Sequence, residues 1–315
     1  MKHAILLIGN NGQVGRELNR MLPELGDLQS LGREQLDLSR PEEIRRAIRT
    51  FRPNLIVNAA AYTAVDKAET EQDLARAVNA EAPAVMAEEA KKTGAFLVHY
   101  STDYVFDGTK TSPYTEQDPT NPKNVYGMTK LEGEFAIQQS GASHLIFRTA
   151  WVYASEGRNF LLTILRLATQ REELKIVCDQ AGAPTTSSEI ARATTKILSQ
   201  IFGQGNGSYT PADNGSIFHM TARGQTTWFG FTQAILDHAR KIDASTPWFA
   251  AATNGRPLIT RNIIPIPASE YPTPARRPAY SVLSNEKLWR TFSVCLPEWE
   301  TQLASIFANS QPLDR

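Results

Sequence analysis

The sequence predicts an α/β fold, a doubly wound parallel sheet with a smaller, interleaved α/β lobe, and three observations predict it. Short apolar runs alternate with longer amphipathic stretches through the first half of the 315-residue chain. The first apolar run ends in a glycine-rich turn that opens a helical pattern, Gly9-Asn10-Asn11-Gly12-Gln13-Val14-Gly15. After Arg148 the alternation loosens, and between Ile263 and Pro278 prolines recur. Strands alternating with helices imply βαβ units and a parallel sheet, whose ligands sit at the carboxyl ends of the strands.

The elements follow in order. Ala4–Ile8, Leu55–Asn58, Phe96–Ser101 and Leu145–Arg148 read as buried strands, with Asp27–Leu31 a weaker fifth. Between them, helical periodicity covers Gln13–Leu22, Pro41–Thr50, Glu71–Thr93 (divided or kinked at Pro83) and Val125–Gln139. In the second half Asn159–Thr169, Ser187–Gln200 and Thr226–Arg240 read as helices and Ile217–Thr221 as a strand. Gly203–Gly215 has loop composition, and Ile263–Pro278 reads as extended loop without regular elements. These patterns place a dinucleotide-binding unit at 1–150 plus parts of about 186–225, and a second lobe at about 151–185 and 226–315.

Composition narrows the function. Hydrophobic residues make up 41% and charged residues 21%, and 33 basic residues balance 33 acidic ones. Nothing here suggests a polyanion-binding surface, so nucleic acid is not an expected partner. Cys178 and Cys295 lack metal-site spacing and suit packing in a reducing compartment. The apolar start at Ala4–Ile8 is too short for a secretory signal, and no later run reaches the ~18–20 residues of a membrane span. A cytoplasmic protein without membrane partners is expected.

Two ends of one site can be read. In the turn, Gly9, Gly12 and Gly15 allow close backbone approach to a pyrophosphate, and the helix start offers free amides to it. The second strand ends in Leu31-Gly32-Arg33, where NAD-binding proteins place an acid. Arg33 suits a 2′-phosphate instead, so NADPH is expected, with NADH as the alternative. Asp37 and Leu38 fit a place against adenine, and Asp37 fits a turn or cap equally well. At the other end, Tyr126 and Lys130 lie one helical turn apart on the same face. A cation near a phenol favours phenolate, so Lys130 is expected to pull the Tyr126 pKa down toward neutral pH. His99-Tyr100-Ser101-Thr102-Asp103 ends the fourth strand, where the Thr102 hydroxyl can reach a substrate carbonyl. Glycine turn, Ser/Thr strand end and Tyr-x-x-x-Lys together make the constellation of a hydride-transferring reductase.

With these motifs the chain resembles the extended short-chain dehydrogenase/reductases, and among them those that reduce keto-deoxysugar nucleotides. The supporting stretches run through both halves: Gly-Gln-Val-Gly at 12–15, Asn-Ala-Ala-Ala-Tyr-Thr-Ala-Val-Asp-Lys at 58–67, and His-Tyr-Ser-Thr-Asp-Tyr-Val-Phe-Asp-Gly at 99–108. Further ones are Tyr-Gly-Met-Thr-Lys at 126–130, Phe-Arg-Thr-Ala-Trp-Val-Tyr at 147–153, Asp-Gln-Ala-Gly-Ala-Pro-Thr at 179–185, and Tyr-Pro-Thr-Pro-Ala-Arg-Arg-Pro at 271–278. The resemblance implies reduction of the C4 ketone of dTDP-4-dehydro-6-deoxy-L-mannose to dTDP-L-rhamnose, for cell-surface polysaccharide. It implies Tyr126 as proton donor, Lys130 on the nicotinamide ribose and Thr102 on the carbonyl. Gly12, Gln13 and Val14 would line the pyrophosphate, and Ala61, Tyr62, Thr63 and Tyr100 the rest of the cofactor. Thr102, Asp103 and Trp151 would face the sugar nucleotide, with Arg276 and Arg277 candidates for its diphosphate. Some relatives bind Mg²⁺ through glutamates at a dimer contact. Glu17 matches one such position but Ser188 replaces another, which puts a metal site in doubt and leaves monomer or homodimer open. A longer loop around Asn206–Gly215 also departs from the family pattern.

Two other readings remain. A sugar-nucleotide dehydratase of this fold would carry Asp-Glu after the strand-end Thr, whereas Asp103 is followed by Tyr104; an epimerase would retain its cofactor tightly. A non-catalytic dinucleotide-binding regulatory subunit could lose the tyrosine or lysine, and both are intact.

Overall fold

Six short strands, most of them buried on both faces, build the centre of the molecule. They are β1 (His3–Ile8), β2 (Gly26–Leu31), β3 (Leu55–Asn58), β4 (Phe96–Thr102), β5 (His144–Thr149) and β6 (Ser216–His219). The computed structural model describes residues 3–203 and 216–308, so the expected loop at Asn206–Gly215 and most of Gly203–Gly215 lie outside the described residues. The sheet runs β6-β5-β4-β3-β1-β2 and every pairing is parallel. The expected doubly wound parallel sheet is therefore present. The order reverses between β2 and β3 on either side of β1, and a ligand crevice opens at such a switch point.

Helices cover both faces. On one, α1 (Gln13–Met21) and a later helix (Ser187–Phe202) pack Leu18, Leu22, Ile190 and Ile197 onto Ile5, Leu7, Val57 and Val98. On the other, α2 (Pro41–Phe51), α3 (Ala82–Thr93) and α4 (Val125–Ser140) cover Leu6, Ile8, Ile56 and Leu97. Alternate residues of one strand thus serve two cores, as a two-sided sheet demands. The caps are local. Asn124 accepts from the Gly127 amide at 2.8 Å to start α4, and Gly141 ends it in the left-handed region.

The helical stretch from Glu71 to Thr93, expected to divide or kink at Pro83, changes type just before that proline. Gln72–Arg76 is α-helical, Ala77–Glu81 widens into a π-type turn, and α3 continues from it with Pro83 near its start. The Ile263–Pro278 segment is not wholly irregular either. Asn262–Ile266 pairs in parallel with Glu173–Val177. Pro265 is tolerated because this is a two-stranded sheet with open edges.

A third apolar cluster joins the helices Phe160–Ala168, Trp228–Ala239 and Trp299–Ala308 around Phe231, Leu165 and Leu303. Beside the sheet, Arg148 of β5 meets Glu134 of α4 in a two-bond fork, 2.9 and 2.6 Å, with both side chains buried. No helix among the described residues is long and apolar enough to cross a membrane.

Candidate active site

A cleft of about 460 Å³ opens over the carboxyl ends of β1, β3 and β4. Gly9 begins it at φ +91°, a conformation that L side chains rarely adopt, and donates its amide to the Leu31 carbonyl at 2.8 Å. A Cβ at Gly15 would lie 2.0 Å from the Gly9 carbonyl oxygen, so α1 can approach the turn this closely only with glycine there. Gly9, Gly12, Gln13, Val14, Arg33, Asp37, Leu38, Ala61, Tyr62, Thr63, Tyr100, Tyr126 and Lys130 all border the cleft. Gly15 does not; it is buried behind the turn.

At the end of β2, Gly32 abuts the tips of flexible side chains, which can turn aside for a larger residue. A Cβ at Gly32 would sit 2.6 Å from Asn11 Nδ2 and 2.7 Å from Asn10 Oδ1. Arg33 borders this end, and its charge reaches the Tyr62 phenol, which donates to Glu71 at 2.6 Å. Burial first and Glu71 second push Tyr62 up to about 12. Asp37 accepts from the Ser39 hydroxyl and amide, which hold its carboxyl below the usual range.

At the far end the residues read from sequence meet. The Tyr126 ring packs edge-on to Tyr104 at 5.6 Å, and its phenol lies near the Thr102 hydroxyl. Thr102 accepts from the Tyr104 amide at 3.1 Å and donates to Asp103 Oδ1 at 3.0 Å. That hydroxyl has one proton, so a ketone oxygen placed there competes with Asp103 for it. Burial raises Asp103 to about 6.

The expectation for the phenol is corrected here. Burial pushes Tyr126 up to about 12, with Thr102 pulling weakly the other way. Lys130 Nζ itself lies 3.0 Å from His99 Nε2 and donates to the Tyr100 carbonyl at 2.5 Å. Buried almost completely, Lys130 is itself pulled down to about 7. Tyr100 meets the cleft at its strand backbone, while its phenol is turned into the core against Thr194 at 2.7 Å.

Trp151 follows β5 with φ +47°. The other non-glycine residues with positive φ among the described ones, Arg52, Asn254 and Ser293, each cap a helix. Its strain is therefore of another kind. Its indole stacks on Trp228 with centroids 3.4 Å apart, and a Cβ at Gly182 would meet its Cε2 at 2.4 Å. Neither Arg276 nor Arg277 borders the dinucleotide cleft. Arg277 pairs with Asp66 at 2.9 Å beside Tyr104, while Arg276 is exposed and its carbonyl accepts from Asn124. Glu17 pairs with Arg20 at 3.0 Å, and the Ser188 hydroxyl bonds Thr186.

Sequence reasoning missed several residues. Ser101 and Thr149 border the cleft with buried hydroxyls that have no protein partner, and Asn10 Oδ1 is similarly orphaned beside Gly32. The Glu156-Gly157-Arg158 segment closes one side. Asn10, Ser101 and Thr149 stood inside stretches already singled out, whereas Glu156, Gly157 and Arg158 carry no local signal, because only folding brings them to the cleft. Buried hydroxyls without partners, a polar nest at Gly32 and the glycine turn fit a dinucleotide.

Residues 1–311 match the family described as the RmlD substrate binding domain. A Burkholderia thailandensis protein named dTDP-4-dehydrorhamnose reductase is 49% identical over 296 residues, 94% of this chain and 95% of that one. The crystal structure of a Bacillus anthracis dTDP-4-dehydrorhamnose reductase in complex with NADP has a TM-score of 0.84 at 30% identity, covering 98% and 99% of the two chains. An orthologue from Clostridium acetobutylicum gives 0.84 at 34% identity, with the same coverage. The chain belongs to the dTDP-4-dehydrorhamnose reductase family.

Proposed function

We propose that this protein reduces the C4 ketone of dTDP-4-dehydro-6-deoxy-L-mannose to dTDP-L-rhamnose with NADPH. The observation that carries the reading is the Tyr126 phenol beside the Thr102 hydroxyl, with Lys130 one helical turn away, at the end of a cleft that begins at the glycine turn. The NADP bound by the Bacillus anthracis relative supports the cofactor.

Bound NADPH supplies the hydride to the ketone carbon. Tyr126 gives its proton to the ketone oxygen as that oxygen gains charge, and Thr102 orients it. Lys130 sits behind the phenol, in place to hold the nicotinamide ribose hydroxyls, while Gly9 and Gly12 offer backbone to the pyrophosphate. Ser101 and Thr149 have free hydroxyls for the nicotinamide end. We assign cofactor binding to 1–150 with parts of about 186–225, and sugar-nucleotide binding to the remainder. Trp151 of that lobe, with Asp103 after β4, meets the sugar. Arg276 is the freer arginine for the diphosphate, since Arg277 already pairs with Asp66.

The test is loss of nicotinamide absorbance with enzymatically generated substrate and identification of the product sugar nucleotide. Binding of NADPH without substrate-dependent oxidation would instead support a regulatory subunit. A second measurement addresses cofactor choice. Arg33→Ala is expected to raise the KM for NADPH about fivefold to tenfold, roughly 1 kcal/mol of lost charge-assisted bonding, and to leave that for NADH unchanged. Equal effects on both cofactors would remove Arg33 from the 2′-phosphate.

A further inference from the structure

Among the described residues four cations border the dinucleotide cleft, Arg16, Arg33, Lys130 and Arg158, and they are not equally free. A pyrophosphate over the glycine turn carries negative charge that the neutral amides of the turn offset only in part. Arg33 stands at the adenosine end, after β2 and near the Tyr62 phenol. Lys130 is buried at the other end, its Nζ against His99 and the Tyr100 carbonyl. Arg16 of α1 is engaged, with Nη1 on Glu156 Oε2 at 2.5 Å and Nε donating to the Asn11 carbonyl at 3.1 Å. Arg20, one turn on, reaches the other oxygen of Glu156 at 3.5 Å. Glu156 is thus already flanked by two cations. Arg158, exposed two residues later, pairs with no carboxylate among the described residues.

The strap that carries Arg158, residues 154–159, is fastened to the glycine turn. Gln13, the first residue of α1, donates through Nε2 to the Val152 carbonyl at 3.4 Å and accepts from Asn159 Nδ2 at 2.9 Å. Asn159 Nδ2 also meets the Ala154 and Glu156 carbonyls at 2.9 and 3.2 Å, which folds the strap back on itself. Gly157 reverses the chain at φ +84°, and a Cβ there would stand 3.7 Å from Gln13 Cγ. Arg158 is therefore held between two residues that stand against Gln13, beside the turn. Gln13 secures the strap but brings no charge.

We propose that Arg158 binds the pyrophosphate of the dinucleotide, as a guanidinium that the strap lays across the glycine turn. Its planar fork matches two phosphate oxygens at once, which the single N–H groups of the turn do not. The pyrophosphate is common to NADH and NADPH, so Arg158 acts on both alike, unlike Arg33. The inference rests on the dinucleotide reading of the cleft and not on the sugar that is reduced.

The test is equilibrium binding of NADPH and NADH to the full chain, followed by nicotinamide fluorescence, in wild type, Arg158→Ala and Arg158→Lys. Arg158→Ala is expected to raise both dissociation constants about tenfold at low salt, the loss of one charge-assisted contact. Arg158→Lys keeps the charge without the fork and is expected to stay within about threefold of wild type. The gap between wild type and Arg158→Ala is expected to shrink at about 0.5 M NaCl, since the contact is exposed. Dissociation constants that Arg158→Ala moves by less than about twofold overturn the proposal. So does an effect on NADPH alone, which puts the guanidinium on the 2′-phosphate, or a rise confined to the KM of the sugar nucleotide, which puts it on the substrate diphosphate. An exposed side chain without partners leaves Tm unchanged. A loss shared by both variants and accompanied by a lower Tm marks a structural role and overturns the proposal as well. No sugar enters the binding measurement, so a wrong substrate assignment leaves its result standing. A wild type that binds neither dinucleotide sinks the dinucleotide reading and this inference together.

Discussion

Tyr126→Phe is expected to lower kcat by about 10²–10⁴ while leaving the Kd for NADPH within about twofold. The substitution removes one oxygen and keeps the ring, which packs edge-on to Tyr104 at 5.6 Å. What is lost is the proton for the ketone oxygen, and Thr102 cannot replace it because its single proton is shared with Asp103. The pH profile of the wild type checks the same assignment. An acid must be protonated to act, so its contribution is lost as pH rises through its pKa. With Tyr126 held near 12, kcat is expected to show no alkaline limb from the phenol between about pH 7 and 10. A fall in kcat through about pH 8–9 would mean that a nearby cation does lower the phenol. A Tyr126→Phe enzyme keeping more than about a tenth of wild-type kcat would take the proton donor away from Tyr126.

Glu134→Gln is expected to cost about 3–5 kcal/mol of stability, the largest effect foreseen for a residue outside the cleft. Arg148 and Glu134 are 3% and 1% exposed and bond through two contacts, 2.9 and 2.6 Å. Removing one charge leaves the other buried without a counter-ion, against the Phe106 ring and beside His219. His219 cannot take up the difference, since burial and Arg148 already hold it neutral, down to about 3. Replacing both partners, Glu134→Leu with Arg148→Met, is expected to cost much less, because no buried charge is left behind. Urea unfolding of the two variants and the wild type measures this. A Glu134→Gln loss under about 1 kcal/mol would mean that water reaches the pair.

Much of the site was legible because it is local. The glycine turn, the Ser-Thr-Asp strand end and the Tyr-x-x-x-Lys turn each declare themselves within a few residues. The β3 strand could be bounded at Leu55–Asn58 because a short apolar run between polar residues has few other uses. Pro265 hid the Asn262–Ile266 strand, since proline argues against a strand unless an edge is known to be open. Trp228 and Gly182 gave no sign of acting on Trp151, because their meeting depends on a two-stranded pairing of Ala181–Gly182 with Thr226–Thr227.

By itself, the sequence determined the alternation of strand and helix, the parallel sheet, the glycine turn and the placing of Tyr126 one helical turn from Lys130. Those properties follow from periodicity and from side-chain chemistry, which act over a turn or a strand. The tertiary structure alone decided which side chains surround Tyr126 and Lys130. The surroundings of Lys130 depend on His99, which strand pairing sets against Asn58, 41 residues earlier, and on burial that strips solvent from all three. Burial and hydrogen-bond direction are properties of the packed chain, and in a dry interior they outweigh the short spacing between two residues on a helix.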